Sequence, residues 1–130
     1  MTQYVLDTNA FLRYLRKDVP QQTDRVIALF TQAKQSKALV TIPMAVILET
    51  VFVLSKHYGE QKDTIGTQLF DLASSPILDI EKRDMVKKAL LIWKAENSSF
   101  VDCLVLAQAQ EEGKALFTFD KKLERLAKKA

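Results

Sequence analysis

The chain has 130 residues, 48% of them hydrophobic and 27% charged, and 19 basic against 16 acidic side chains leave a formal charge of +3. That composition suits one domain of ordinary size with its own core, and it biases the chain only weakly toward an anionic partner. A single cysteine and a single histidine exclude an internal disulfide, a paired-histidine acid–base mechanism and the usual Cys/His zinc sites.

The first element expected is a short buried strand, QYVL at 3–6, running into the acid Asp7. A helix follows over about 8–17, because Phe11, Leu12 and Leu15 fall on one face, and Pro20 breaks the chain after it. Val26, Ile27, Phe30 and Ala33 lie at helical spacing over 22–37, and ALVTIP at 38–43 reads as a second strand. Pro43 suits the first turn of the next helix, expected from 43 to about 57. There Val46, Phe52 and Val53 share a face with Glu49, while Ile47, Leu48, Val51 and Leu54 cover the flanks. A helix so apolar is expected to be buried on more than one side, which favours a homodimer. Gly59 ends it.

An amphipathic helix around 65–73, a short strand at 76–80 and a helix from Val86 through Trp93 to near Asn97 come next. SSFVDCLVLAQAQEEG at 98–113 reads as a capped helix stopped by Gly113. ALFTF at 115–119 is expected to be the last strand, and Asp120 opens a basic helix, DKKLERLAKKA. Strands separated by helices imply parallel pairing with right-handed crossovers, hence a three-layer α/β/α domain. In such sheets the working site lies beyond the carboxyl ends of the strands, where Asp7 and Asp120 both fall. The longest apolar-rich stretch, 42–54, holds Pro43, Glu49 and Thr50 and is too short to span a bilayer, so no membrane association is expected. Met1 leads almost directly into a strand, so no signal peptide is expected, and the lone Cys103 fits a cytoplasmic location.

Three of the four acids have a structural explanation. Asp7 and Asp120 each precede a helix and can cap it, and Asp102 stands three residues after Ser99 at capping-box-like spacing. Glu49 has none of these. It lies mid-helix among Ala45, Val46, Phe52 and Val53 with no lysine or arginine one turn away, and burying an unpaired carboxylate costs several kcal/mol. Four converging acids would repel one another without a counter-charge, and hard divalent cations supply one. Carboxylates without histidine or cysteine point to Mg²⁺ or Mn²⁺ over zinc, and such ions activate water toward a phosphodiester.

LDTNAFLRYL, ILETVFVL, FVDCLVLAQA and LFTFDKKLERL resemble, in order and spacing, the four acidic motifs of the PIN domain, and most closely the small VapC-like toxins of toxin–antitoxin modules. The likeness covers essentially the whole chain, 1–130, as one PIN-like nuclease domain. It implies a central parallel sheet of four strands, or five with the closing strand that relatives often add after a segment such as LAKKA. It also implies metal-site roles for Asp7, Glu49, Asp102 and Asp120, with Asp7 and Asp102 as direct ligands and the other two binding directly or through water. Asn9 and Thr118 would orient carboxylates or metal waters. The implied activity is Mg²⁺- or Mn²⁺-dependent endoribonuclease cleavage by a metal-activated water, with one metal or two about 3.5–4 Å apart. A cognate antitoxin restrains such proteins, which commonly form homodimers.

For RNA contact the candidates are Arg13 on the first helix and Lys121 and Lys122 on the last, set against a plain solvated basic face. Tyr4, Tyr14 and Trp93 can stack bases but sit at core spacing, and His57 reads as an ordinary residue at a helix end. A haloacid-dehalogenase-like phosphatase would want a second aspartate two residues after Asp7, where this chain has Asn9. The alternative kept is a catalytically silent PIN-like module that binds RNA or protein.

Overall fold

The computed structural model describes residues 1–129, so Ala130, the last residue of the expected basic helix, lies outside the described residues. The elements in chain order are β1 (Thr2–Val5), α1 (Thr8–Arg16), α2 (Pro20–Lys34), β2 (Ala38–Ile42) and α3 (Met44–Phe52). One π-helical turn, Val53–His57, follows, then α4 (Lys62–Ala73), β3 (Asp79–Ile80), α5 (Arg83–Ala95), α6 (Phe100–Glu111) and α7 (Lys121–Lys129).

Among the described residues the sheet has three strands in the order β1-β2-β3, all parallel. The α/β class and the parallel pairing agree with the sequence pattern, whereas the expected count of four or five strands is corrected to three. The missing strand is ALFTF. Its backbone makes no ladder, and Phe117 and Phe119 stand 86% and 88% exposed. The segment is instead carried to the outside by α7, whose Leu123 and Leu126 pack on Leu106 of α6 with Leu116 alongside, in a small cluster apart from the main core. With that place unfilled, β1 is an edge strand and is exposed along its length, not buried as the run of apolar residues suggested.

Strand β3 is shorter than expected for a local reason. Arg83 donates to the carbonyls of Ala73 at 2.7 Å and Ser75 at 2.8 Å, and also to that of Leu78. The approach to β3 is thus held by a side chain and not by a ladder. Thr41 Oγ1 donates to Asp79 Oδ2 across the β2–β3 pair at 2.7 Å. Glu81 Oε1 accepts from the Met44 N–H at 2.9 Å, satisfying a free donor at the start of α3 that Pro43 has no side-chain group to reach.

The core lies between the sheet and its helices, with Phe11, Val40, Ile42, Ile47, Leu54, Ile65, Leu69, Val86, Leu90 and Cys103 essentially without solvent contact. Helix α1 packs on α2 and α3, and α5 packs on α4 and α6. Trp93 is buried edge-on against Phe100, and Tyr14 packs on Phe30 with ring centroids 4.7 Å apart, so both are packing residues. No helix among the described residues is long and apolar enough to cross a membrane.

Candidate active site

Asp7 follows β1 in extended conformation and caps α1: its Oδ1 accepts from the Ala10 N–H at 2.8 Å. Capping occupies one oxygen and leaves Oδ2 directed elsewhere, so the structural duty and a chemical one are compatible. The side chain opens into a hollow of about 560 Å³ whose wall also includes Asn9, Arg13, Glu49, His57 and Tyr58. Two elements therefore bring two carboxylates to one concavity: the β1–α1 junction and the middle of α3.

Glu49 reaches that hollow from solvent, not from inside the core. It is exposed, and Phe52 of the same helix is 63% exposed. The expectation of a helix buried almost all round is corrected here, and with it the desolvation argument for Glu49. Val46, Ile47, Thr50 and Val51 form the buried face of α3, and Glu49 lies off that face. Sequence periodicity could not tell a flank that meets the core from one that meets water, because both were apolar.

Arg13 on the hollow's wall and Arg16, which lies over the lining residue Tyr58, are both engaged in ion pairs. Arg13 pairs with Asp18 at 3.0 Å, while Arg16 pairs with Glu60 at 2.5 Å and lies over the Tyr58 ring at 3.7 Å. Arg13, a candidate RNA contact, is thus largely neutralised where it stands. His57 closes the π-helical turn and enters the hollow with its ring edge-on to Tyr58. By sequence position His57 is an ordinary helix-end residue, yet it lines the hollow. The signal for it is positional, since a π turn inserts a residue into the helical register and re-aims the side chains that follow, often at working sites.

Asp102 and Asp120 stand outside this hollow. Asp102 is half-buried in the first turn of α6, where its N–H donates to Ser99 Oγ at 3.1 Å. Beside it Cys103 is fully buried, and its thiol pKa is pushed up from 9.0 to about 11, first by burial and then by the Asp102 charge. Asp120 is exposed and caps α7, its Oδ1 accepting from the N–H groups of Lys122 at 2.8 Å and Leu123 at 3.1 Å. Thr118 turns back on the same bend, its Oγ1 accepting from the Asp120 N–H at 3.0 Å. Lys121 and Lys122 are exposed, without an ion pair among the described residues.

Among the described residues no cluster of three or more histidine, cysteine or acidic side chains is close enough to hold a metal. The donor set still fits a hard divalent cation in a reduced form. Two carboxylates on one hollow are what a magnesium site uses when waters and substrate phosphates complete it. Asp7 and Glu49 would hold such an ion, while among the described residues Asp102 and Asp120 do not line the hollow with them.

Residues 4–129 match the family model of the PIN domain. The chain is also similar to a VapC ribonuclease of Aquifex aeolicus (strain VF5), 21% identical over 123 residues that cover 94% of this chain and 90% of that protein. No solved structure matches it.

Proposed function

The chain belongs to the PIN-domain family, and from that premise we propose that it is a metal-dependent endoribonuclease, the toxin of a toxin–antitoxin pair. The observation that carries the reading is the meeting of Asp7 and Glu49 on one hollow at the carboxyl end of a parallel sheet, the place where α/β folds do their chemistry. Similarity to a VapC ribonuclease along nearly the whole chain supports the choice of RNA as substrate and of an antitoxin as partner.

Mg²⁺, with Mn²⁺ able to replace it, would supply charge neutralisation at the phosphate and activation of water when bound. The chain's own contributions follow from the geometry. Asp7 is held rigidly by its cap hydrogen bond, leaving Oδ2 for the ion. Glu49 projects from the exposed side of α3 toward the same space. Asn9, on the hollow's wall, orients a carboxylate or a coordinated water. The motifs in which Asp102 and Asp120 stand assign them to the same centre, although they lie outside the hollow that Asp7 and Glu49 share; Thr118 holds the bend that carries Asp120. Lys121 and Lys122 follow the RNA backbone. The lone buried cysteine is in keeping with a cytoplasmic setting.

The test is cleavage of a mixed-sequence RNA by purified, antitoxin-free protein in Mg²⁺, Mn²⁺ or EDTA, with Asp7→Asn alongside. Cleavage that needs the metal and vanishes in the variant is the expected result. Cleavage that survives both EDTA and the substitution would sink the reading.

A further inference from the structure

The hollow that holds Asp7 and Glu49 does not end at them. Its lining continues to His57 and Tyr58 on one side and to Arg13 on the other. Strands β1 and β2 are parallel, and α1 and α3 each start just beyond the end of one of them, so both helices set out from the same edge of the sheet. The two acids stand toward that start. His57 follows Glu49 by eight residues, which places it about 12 Å further along at 1.5 Å per residue. Arg13 belongs to the same far end. It stands one turn before Arg16, whose guanidinium lies 3.7 Å over the Tyr58 ring, and that ring meets His57 edge-on with centroids 4.8 Å apart.

Both residues have donors to spare. His57 is exposed, and its ring makes no ion pair or hydrogen bond among the described residues. An imidazole keeps at least one N–H donor whether neutral or charged. Arg13 pairs with Asp18 at 3.0 Å, yet its Nε–H is buried without an acceptor. Asp18 is shared, because its Oδ2 also lies 3.5 Å from Arg16 Nε. An anion arriving at Arg13 would therefore leave Asp18 with a cation still beside it.

We propose that this far end is a phosphate subsite, in which His57 and Arg13 hold an RNA phosphate at least one nucleotide away from the phosphodiester at Asp7 and Glu49. Continuity favours RNA over an acidic peptide: one hollow joins the acids to the donors, and a nucleic-acid strand carries a phosphate at every nucleotide. A strand with one phosphate at the acids brings another to the donors. Two carboxylates repel an incoming polyanion, so donors set along the groove supply binding at a distance from that repulsion. Contacts of this kind fix the register of the strand without reading its bases. The choice of RNA rests on the nuclease reading, whereas the anion subsite itself does not.

The experiment reads the subsite with and without catalysis. His57 is the only histidine, so its Cε1–H gives a single proton resonance. In EDTA, at fixed pH and ionic strength, inorganic phosphate and a tetranucleotide RNA are each titrated against it. Saturable shifts are expected from both and none from an unphosphorylated nucleoside, and Arg13→Gln should weaken both by at least ~10-fold. No shift with RNA, or an equal shift with the nucleoside, would overturn the proposal. A shift given only by a glutamate-rich peptide would also overturn it and assign the subsite to an acidic protein partner. In cleavage, the His57→Ala penalty should fall on KM more than on kcat and be at least ~5-fold larger for a long RNA than for a dinucleotide, which has no second phosphate. His57→Gln, which keeps an N–H donor, should recover most of the loss. A penalty equal on both substrates would mark a merely structural effect and refute the subsite. An inactive wild type would refute the nuclease, with the resonance still deciding whether the anion subsite exists.

Discussion

At Asp7 one carboxylate oxygen is already committed to the Ala10 N–H, and this separates stability from chemistry in a single substitution. Asparagine caps a helix about as well as aspartate, so Asp7→Asn should leave the melting temperature within a few degrees of wild type. RNA cleavage should fall by at least ~100-fold, because the charge offered to the ion is gone. Parallel melting curves and cleavage assays would separate the two. Cys103, next to Asp102, is predicted to be inert. Its buried thiol, raised to about 11, should resist alkylation at pH 8 until the chain unfolds. The sign of its linkage follows: the folded state keeps the proton longer than the unfolded one, so this contribution is complete below pH 9 and is lost as pH rises toward 11. Denaturant titrations of wild type and Cys103→Ala across that window should converge as the pH rises.

Helix α3 and the turn after it show how an element can be built for two surfaces at once. Its buried face includes Thr50, whose Oγ1 has no hydrogen-bond partner and no exposure. An unsatisfied buried hydroxyl costs about 1–3 kcal/mol, so Thr50→Val, nearly equal in shape, is expected to raise stability by about 1 kcal/mol in denaturant titration. On the outer face Glu49 and the π turn carrying His57 open to the hollow. At the far end of α6, Gly113 adopts φ +64 and turns the chain so that the Lys114 N–H reaches the Ala109 carbonyl at 2.9 Å. Gly113→Ala would meet no atom within 4 Å and should cost about 1 kcal/mol through backbone strain alone.

For the whole molecule, charge and sheet edge decide how it meets other molecules. A net charge of +3 is too small to drive RNA binding by itself, so the phosphate contacts must be local. Lys121 and Lys122, exposed on α7 beside Asp120, make no ion pair among the described residues. Lys121→Ala/Lys122→Ala should weaken RNA binding at low salt and lower the slope of log K against log salt by one to two units. Filter binding across a salt series would show it, and an unchanged slope would assign those lysines to a merely solvated face. The open edge of β1 acts at the same scale, since an unpaired strand edge is a template on which another strand can pair.

Local chemistry was legible in the residues themselves. The helices expected over about 8–17 and from Val86 to near Asn97, the strand expected at 38–43, the Ser99 cap and the capping duties of Asp7 and Asp120 all follow from spacing and from groups within four residues of one another. The four acidic motifs likewise announced the PIN domain, because order and spacing are properties of the chain. What the fold alone decided is pairwise and long-range. Glu49 is exposed because α3 turns its other flank to the core, a choice that two apolar flanks left undetermined. ALFTF reads as a strand in the sequence, yet it makes no ladder where α7 packs on α6, and a local run of residues carries no information about which edge would accept it. His57 joined the site only through a π turn, one inserted residue that no propensity marks. Hydrogen bonds to near neighbours are encoded where they form, whereas the meeting of distant side chains depends on which of several apolar surfaces wins the packing.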